Sequence, residues 1–435
     1  MLEQTGFVCV ATGKHYLLKL EAFVCDAPAR AFVKCIKPHN AYNSCERCFQ
    51  TGEWYGKVIM PNLAAPLRSD ISFKNKTDKN HHDGTHISPL EELNIGLVSG
   101  FPIDSMHSVF LGTVRRYINQ LVYGRSEHKL SRSTIDAISE KLAILGAYIP
   151  REFSRRPRSL LEFKQWKATE FRQFLLYTGP VVLKGVLSDS VYSNFLCLSV
   201  AIRILMTPLL CNNHYFVYVE NLLKYFVYNF CLLFGKDQCV YNIHSLIHLP
   251  DDARQFGVLH NVSCFPFESY LGRLKKLVRR PKSPCSQIVR RILEGHLQQS
   301  KLCTSIPSKF RQKHLLGPLP LPFRHYIQYK QYFGPQFLVS LATADNCFGV
   351  NDKVILVKNI LTDVICSEAN AFVVCQEFQR KQAFFTDPLD STSLSIYYVE
   401  NVSFNTTFFI KELNIKYFKL PFKNGFIVIP QIHFF

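Results

Sequence analysis

The spacing of the apolar residues changes once along this chain, near residue 307, and this change constrains the fold most. From about residue 100 to 305 apolar residues recur every three or four positions, as in amphipathic helices. Beyond that point short β-rich runs alternate with Asn, Asp and Ser clusters. The runs are KVILVKN, DVICSE, AFVVCQE, LSIYYVE and GFIVIPQ. The pattern predicts a helical region followed by a small antiparallel β-barrel or sandwich over roughly 335–435.

The first clear helical stripe runs from Met106 to Leu121, with Asp104 or Ser105 placed to cap it. Further helices are predicted near 135–145, 160–177, 187–206, 214–234, 237–248, 266–280 and 284–299. The most membrane-like window, 195–211, is interrupted by charge and proline and is too short to span a bilayer comfortably. We therefore interpret it as a buried helix and expect no membrane partner.

An apolar strand is predicted at His15–Cys25, ending at Asp26 before an Ala-Pro pair. Open α/β sheets place functional carboxylates at such strand ends. The alternative is a turn-forming Asp, and the residues taken alone favour that alternative.

Charge and composition exclude several classes of function. The 51 Lys and Arg residues exceed the 33 Asp and Glu residues, which gives a net charge of +18 and favours a polyanionic partner. The alternative is a basic protein that merely stays soluble. Fifteen cysteines, mostly single in apolar runs, favour reduced intracellular thiols. No phosphate-binding loop, dinucleotide fingerprint, GxSxG or HExxH motif occurs, so no nucleotide cofactor is expected.

Two short motifs carry ligands suited to zinc. Cys45 and Cys48 form a C-x2-C turn, which supplies half of a tetrahedral shell. His244 and His248 lie four residues apart, on one face of a helix. The gap of 196 residues between the pairs does not by itself join them, and an ordinary helical face remains an alternative for the histidines. Rival ligands are His39, His81, His82, His86 and His107.

The predicted helix at 266–280 opens with Glu268 and continues with basic residues on one side. An acid followed by bases suits metal binding at one end and phosphate contacts along the rest, although most such helices simply have a solvated basic face. A second basic cluster is equally consistent with phosphate contacts or with a solvated loop. It comprises Arg151, Arg155, Arg156 and Arg158.

Taken together, these segments resemble the transposase of CACTA-type (En/Spm-like) transposable elements. The resemblance covers roughly residues 7–300 and is looser over the β region. The matching segments are FVCDAPARA (23–31), HNAYNSCERC (39–48), GEWYGKVIMP (52–61), HHDGTHISPLEEL (81–93), FPIDSMHSVFLG (101–112), WKATEFRQFLLYTGP (166–180), HSLIH (244–248) and FPFESYLGRLKKLVR (265–279).

The resemblance implies a mixed fold, a partial RNase H-like α/β core interrupted by a large all-α zinc-containing insertion. Asp26 then corresponds to the second acid of the DDE triad and Glu268 to the third. The structural zinc ligands would be Cys45, Cys48, His244 and His248. Two intervals fit this arrangement, 45 − 26 = 19 and 268 − 248 = 20 residues, because each tethers a metal ligand to an acid.

The chemistry implied by the resemblance is two-metal strand cleavage and transfer, with Asp26 and Glu268 as ligands of Mg²⁺ or Mn²⁺. The implied partner is DNA, at transposon ends and target, and the implied location is the nucleus. Homo-oligomerisation stays open. The DNA-contacting residues would be Lys275, Lys276, Arg279 and Arg280.

One departure from the family limits the expected activity. The family's first Asp precedes the strand of Asp26, whereas residues 1–25 contain no Asp, so we expect an N-terminally truncated, catalytically incomplete chain. The expected domains are a partial catalytic core (1–40), a zinc-binding helical insertion (41–255), core helices with the third acid (256–305), a Pro-containing linker (306–334) and a β domain (335–435).

Two other hypotheses remain. One is a domesticated chromatin or protein-interaction module without enzymatic activity, acting through the β domain. The other is a relic that does not fold.

Overall fold

The computed structural model describes residues 5–10, 12–84, 86–299, 309–366 and 368–432. Its α-helices are α1 (Ala27–Lys34), α2 (Asp70–Lys74), α3 (Arg115–Tyr123), α4 (Arg132–Leu145), α5 (Ala168–Gln173), α6 (Gly179–Val182), α7 (Asp189–Met206), α8 (Asn213–Phe234), α9 (Tyr241–His244), α10 (Leu249–Phe256), α11 (Phe265–Leu277) and α12 (Pro284–Gln299).

The strands fall into two groups. The first four are two-residue strands, and the remaining nine belong to one sheet near the C-terminus. They are β1 (Phe7–Val8), β2 (His15–Tyr16), β3 (Glu53–Trp54), β4 (Val58–Ile59), β5 (Phe310–His314), β6 (Ile327–Phe333), β7 (Leu338–Ser340), β8 (Cys347–Val350), β9 (Lys353–Thr362), β10 (Phe372–Ala383), β11 (Tyr397–Phe409), β12 (Ile415–Phe422) and β13 (Gly425–Pro430).

The chain divides into two compact units. The first comprises Met1–Lys129 and Ala201–Phe265, and the second comprises Leu130–Val200 and Pro266–Phe435. The predicted domains differ from this grouping. They place Leu130–Val200 in the helical insertion, whereas in the structure this segment belongs with the β-rich part of the chain.

The helical prediction is confirmed through most of its length. The stripe from Met106 forms a π-helix, Met106–Val114, that continues directly into α3. Asp104 caps it, because its carboxylate accepts hydrogen bonds from the backbone N–H groups of Met106 and His107. Helices α4, α7, α8, α11 and α12 lie where the apolar spacing predicts them. The predicted helix at 160–177 is instead a series of shorter 3₁₀, α and π turns.

Helix α7 is long and apolar enough to cross a membrane by length and composition alone, with 18 residues and a mean hydropathy of 1.3. However, 78% of the helix is buried inside the protein, as in the core helix of a folded domain. A single helix of this kind is weak evidence for a membrane span, and its burial agrees with the sequence interpretation.

The C-terminal sheet closes into a six-stranded antiparallel barrel. Strand pairing runs β8–β9–β10–β11–β13–β12 and returns from β12 to β8. Strands β5, β6 and β7 extend the sheet beside β9. Apolar side chains that point inward from the strands fill the interior, and Val357, Val373 and Phe348 among them are buried. The predicted small antiparallel β domain is therefore confirmed as a barrel.

Within the second unit the helical segment packs directly on strand β12. The Phe418 ring stacks on Tyr177 at 4.0 Å between centroids and meets Phe153 edge-on at 4.6 Å. Two positions earlier, the buried Lys416 Nζ donates to Glu152 Oε1 at 2.7 Å and to Asp345 Oδ1 at 2.7 Å. These contacts explain why Leu130–Val200 and the barrel form one unit.

Two sequence expectations about the N-terminal segment and the fold class need correction. The strand predicted at His15–Cys25 is reduced to the two residues of β2, and residues 17–25 have no regular structure. Its apolar side chains find no sheet to cover them, since Leu17 is 70% exposed. An RNase H-like core is not shown, because the sheets of the described residues contain antiparallel pairings only. The coarser part of the fold prediction is confirmed, because the first two-thirds of the chain is mainly helical and the C-terminal part forms an antiparallel sheet.

Three further corrections concern the β region. The predicted linker contains β5 and β6, because Phe310 is buried against the rings of Tyr329 and Tyr332. Residues 306–308 of that linker lie outside the described residues. The run DVICSE is a turn in its described part, with Val364 and Ile365 exposed. Strand β12 was not predicted, because its Lys residues and Pro421 obscure the alternation.

Candidate metal centre

Two cysteines and two histidines from distant parts of the first unit meet in a buried cluster. The Cys48 sulfur lies 3.4 Å from the Cys45 sulfur and 3.3 Å from Nε2 of His244. The Cys45 sulfur lies 3.6 Å from Nε2 of His248. The four ligand atoms all lie within 4.8 Å of one another, and all four residues are at most 3% exposed.

These distances suit a tetrahedral ion. With Zn–S bonds of about 2.3 Å and Zn–N bonds of about 2.0–2.1 Å, the edges of the tetrahedron are about 3.3–3.8 Å. Four protein ligands fill the shell of a structural zinc site and leave no position for water. The cluster can therefore bind a metal ion such as zinc, which is the part of the cofactor prediction that the structure supports.

The electrostatics of the cluster favour a thiolate on one of the two cysteines. Burial alone would raise the pKa of Cys45, but the hydrogen bond from Cys48 and the charges of both histidines hold that pKa well below its usual value. The same hydrogen bond, together with burial, raises the pKa of the Cys48 thiol. A thiolate is the form that binds a metal, so the site is prepared for a cation.

Local structure explains how each pair is presented. The C-x2-C turn is held by Arg68, whose Nε donates to the backbone oxygens of Cys45 and Cys48, both at 3.0 Å. The guanidinium of Arg68 also contacts Asp78 at 2.6 Å, so its own charge is paired. The histidines lie on one helical turn at the end of α9 and the following 3₁₀ turn, with their ring centroids 5.4 Å apart.

The residue that follows Cys45 ties the turn to helix α1. The Glu46 carboxylate accepts from Arg30 Nε at 2.9 Å and from Lys34 Nζ at 2.8 Å, and both cations are buried. Its Oε1 also accepts from the Tyr241 hydroxyl at 2.9 Å. Burial alone would raise the Glu46 pKa, but the two cations hold it far below its usual value. The turn therefore contacts α1 and α9 through one carboxylate.

The next residue fastens the same turn to helix α10. Arg47 pairs with the buried carboxylate of Asp252 and donates to the backbone oxygens of Val98 and Phe101 at 2.9 and 2.8 Å. Asp252 also accepts from the Ile103 backbone N–H at 2.8 Å. Sequence reasoning missed these residues. The sequence carries no clear signal for them, because a charged residue in a turn is usually solvated.

Asp26 does not end a strand. It is the N-cap of α1, and its Oδ1 accepts from the Ala29 backbone N–H at 2.8 Å. This is the turn-forming role that the residues alone favoured. Asp26 lies close enough to Cys25 and Cys264 for its charge to contribute to the raised pKa of each thiol.

A second group of possible ligands comprises Asp104, His107 and Cys264. The Asp104 carboxylate is already surrounded by donors, since it accepts from His107 Nδ1 at 2.6 Å and from the Cys264 backbone N–H at 2.7 Å. It also accepts the two capping hydrogen bonds of the π-helix. We therefore interpret Asp104 as a cap that joins the π-helix to residues 263–264, and not as a metal ligand.

The other predicted site residues lie in the second unit. Glu268 is an exposed residue in the first turn of α11. The basic residues predicted to contact DNA are exposed on or just after the same helix: Lys275, Lys276, Arg279 and Arg280. The structure places Asp26 in the first unit and Glu268 in the second.

The arginine cluster near residue 155 is mostly engaged within the protein. Arg158 pairs with Glu170 at 2.7 Å, and Arg156 donates to the Gly146 backbone oxygen at 3.0 Å. Arg151 lies 4.0 Å from the Asp345 carboxylate. These contacts favour a structural role over phosphate contacts.

Comparison with known proteins adds one family match. A family described as a domain of unknown function (DUF8592) matches residues 313–431, which corresponds to the barrel and the strands beside it. No curated protein and no solved structure matches the chain.

Proposed function

We propose that this chain is a DNA-binding protein derived from a CACTA-type DDE transposase. The observation that carries the proposal is the Cys/His cluster. The resemblance to these transposases implies that the C-x2-C pair and the H-x3-H pair share one ion, although Cys48 and His244 are 196 residues apart. Local folding does not bring such distant pairs together, so their meeting in one buried cluster supports the resemblance.

The ion of this proposal is Zn²⁺ in a structural role. Two thiolates and two imidazoles are a donor set that zinc favours, and a closed shell has no place for substrate. The ion would join the C-x2-C turn, with its Glu46 and Arg47 contacts, to the helical residues that carry the histidines. It would therefore stabilise the packing of α1, α9 and α10.

The DNA-binding surface of this proposal is the basic side of α11. Among the described ion pairs, none involves Lys275, Lys276, Arg279 or Arg280, so their charges are available to phosphates. The net charge of +18 supports a polyanionic partner. Location in the nucleus follows from that partner, and a fluorescent fusion found only in the cytoplasm would contradict it.

The carboxylates of this proposal are Asp26 and Glu268, as ligands of Mg²⁺ or Mn²⁺. The support for this part is the resemblance of their segments alone, FVCDAPARA and FPFESYLGRLKKLVR. Any Mg²⁺-dependent cleavage of a supercoiled plasmid by the protein is expected to be lost in Asp26→Asn and in Glu268→Gln. Cleavage that survives either substitution would contradict the assignment.

Metal analysis of the purified chain tests the zinc site. We expect one zinc per chain, reduced to well below one in Cys48→Ser and in His248→Ala. The matched control is Cys285→Ser, which removes an exposed thiol outside the cluster. Full zinc content in both ligand variants would show that the cluster is not the site.

Fluorescence anisotropy with a labelled duplex tests DNA binding. We expect affinity to fall steeply with salt, and a variant with Gln at all four basic positions of the α11 surface to lower the salt slope by about 3–4. The matched control changes four exposed basic residues of the barrel region to Gln: Arg324, Lys330, Lys381 and Lys411. Equal loss in both variants would mean that net charge, and not the α11 surface, drives binding.

A second function, a chromatin or protein-interaction module, is favoured by one observation. The family match covers the barrel region and not the helical part, as expected of a module that recurs by itself. A histone-peptide array probed with the full chain and with a chain mutated on the barrel surface tests it. Absence of any peptide bound by the full chain would remove this candidate.

A further inference from the structure

Two adjoining cavities in the second unit share three lining residues, Lys184, Phe422 and Lys423. One has a volume of about 490 Å³ and the other about 380 Å³. Cavities of about 300–1,000 Å³ are the size that small-molecule ligands occupy. Neither cavity belongs to the Cys/His cluster or to the basic side of α11.

The larger cavity has apolar walls from two helices and one hairpin. Leu145 of α4 and Val181 and Val182 of α6 are buried at its base. Ile144 stands at the rim with 61% of its surface exposed, and Phe422 at the end of β12 closes another side. An alkyl chain placed here would remove these side chains and itself from water, which is the main source of affinity for an apolar group.

The rim of the same cavity is positively charged. Lys141, Lys184 and Lys423 line it, and no carboxylate is found among its described lining residues. The smaller cavity adds Arg380 and Glu400, which pair with each other. Over both cavities the balance is four cations and one carboxylate, a net charge of 4 − 1 = +3.

The two shared lysines are held in place by the fold. Lys184 Nζ donates to the Phe384 backbone oxygen at 2.5 Å and stands 4.5 Å from the centroid of the Phe384 ring. Lys423 lies in the tight turn between β12 and β13 with a φ of 50°, and its ammonium group is 5.7 Å from the centroid of the Phe422 ring. Burial lowers the pKa of Lys184, and the charge of Lys423 lowers it further, because the two ammonium groups repel each other. An anion between them would relieve that repulsion.

We propose that the larger cavity binds a single-chain anionic amphiphile, a carboxylate or phosphate ester of an alkyl chain. The chain lies against α4 and α6, and the anionic group contacts Lys184 and Lys423. The apolar walls and the cationic rim select together for this chemistry, because neither a free anion nor an uncharged chain satisfies both. The proposal does not depend on DNA binding or on zinc.

Calorimetric titration of the full chain with five probes tests the site: decanoate, decyl phosphate, decanol, decylammonium and inorganic phosphate. We expect the two anions to bind, decanol to bind more weakly and decylammonium not to bind. The tighter of the two anions identifies the natural head group as a carboxylate or a phosphate. Inorganic phosphate alone is expected to bind more weakly than decyl phosphate.

Substitutions locate the binding. Lys184→Met and Lys423→Met are each expected to weaken the binding of the anions by about tenfold, the effect of losing one hydrogen bond to a charged group. Ile144→Trp, at the exposed rim, is expected to obstruct the cavity without disturbing the core. The matched control is Lys330→Met, an exposed lysine of β6 outside both cavities, which should bind as the unmodified chain does.

Three results would overturn the proposal. The first is the absence of binding by both anions. The second is decanol that binds as tightly as decanoate, because anion recognition would then be lacking. The third is equal loss in Lys330→Met and Lys184→Met, which would indicate adsorption to the surface in general.

Discussion

Replacing Glu46 by Ala should strongly destabilise the first unit. The side chain of Glu46 is 6% exposed, and its partners Arg30 and Lys34 are 3% and 0% exposed. Removal of the carboxylate leaves two buried cations with no compensating charge and the Tyr241 hydroxyl without its acceptor. Breaking a buried ion pair costs about 3–5 kcal/mol.

Thermal unfolding of the zinc-loaded chain, followed by circular dichroism and by release of zinc to a coloured chelator, measures this effect. For a unit of roughly 190 residues, such a loss lowers Tm by about 6–20 °C. The matched control is Glu53→Ala, because the pair of Glu53 with Lys236 is 53% exposed on both sides and contributes little. Zinc release should shift together with unfolding, since Glu46 lies between two of the ligands.

A second variant separates charge burial from packing. If Arg30, Lys34 and Glu46 are all replaced by apolar residues of similar size, much of the lost stability should return, because no buried charge is then left without a partner. A Tm of Glu46→Ala within about 2 °C of the unmodified chain would refute the reasoning. It would mean that water or another acid compensates the two cations.

Three further predictions concern other buried polar groups and the metal. Lys416→Met leaves the buried Asp345 and the partly buried Glu152 without their shared cation, and we expect it to destabilise the second unit by about 3–5 kcal/mol in urea unfolding. Lys411→Met, at an exposed position, should change stability by less than about 0.5 kcal/mol. Burial alone would raise the pKa of Asp104, but hydrogen bonds from His107 and neighbouring backbone groups hold that pKa below its usual value. The stability that Asp104 contributes is therefore present above its unfolded pKa of about 3.9 and is lost as pH falls through the lower folded pKa. Asp104→Asn should therefore make the stability of the first unit depend less on pH at acid pH. An unchanged pH dependence would count against the capping role of Asp104. Removal of zinc with a strong chelator should unfold the first unit at room temperature or sharply lower its Tm, and a chain that keeps its full Tm without metal would show that the cluster needs no ion.

Much of the metal centre was predictable from residue chemistry. A C-x2-C turn and an H-x3-H turn each carry a local signal, because ligand spacing within one turn is set by the backbone. The two pairs were assigned to one site first by the resemblance and then by the structure, because no local rule relates positions 196 residues apart. The contacts of Glu46 and Arg47 were not predictable, because a charged residue in a turn is usually solvated and only packing removes it from water.

The helical stripes and the β character of the C-terminal third follow from the sequence by itself. Their cause is local, since the spacing of apolar residues has to match the period of the element that buries them. Asp26 shows the limit of this reasoning. The apolar run before it has the composition of a buried strand, yet residues 17–25 take no regular structure, because a strand requires a neighbouring strand and not only a suitable sequence.

Only the tertiary structure decided which elements meet. The closure of six strands into a barrel depends on the pairing of β8 with β12, which are separated by three other strands along the chain. The grouping of Leu130–Val200 with that barrel depends on Phe418 and Lys416 finding partners in the helical segment. Such contacts depend on complementary shape and charge between distant surfaces, and that complementarity exists only once the chain has folded.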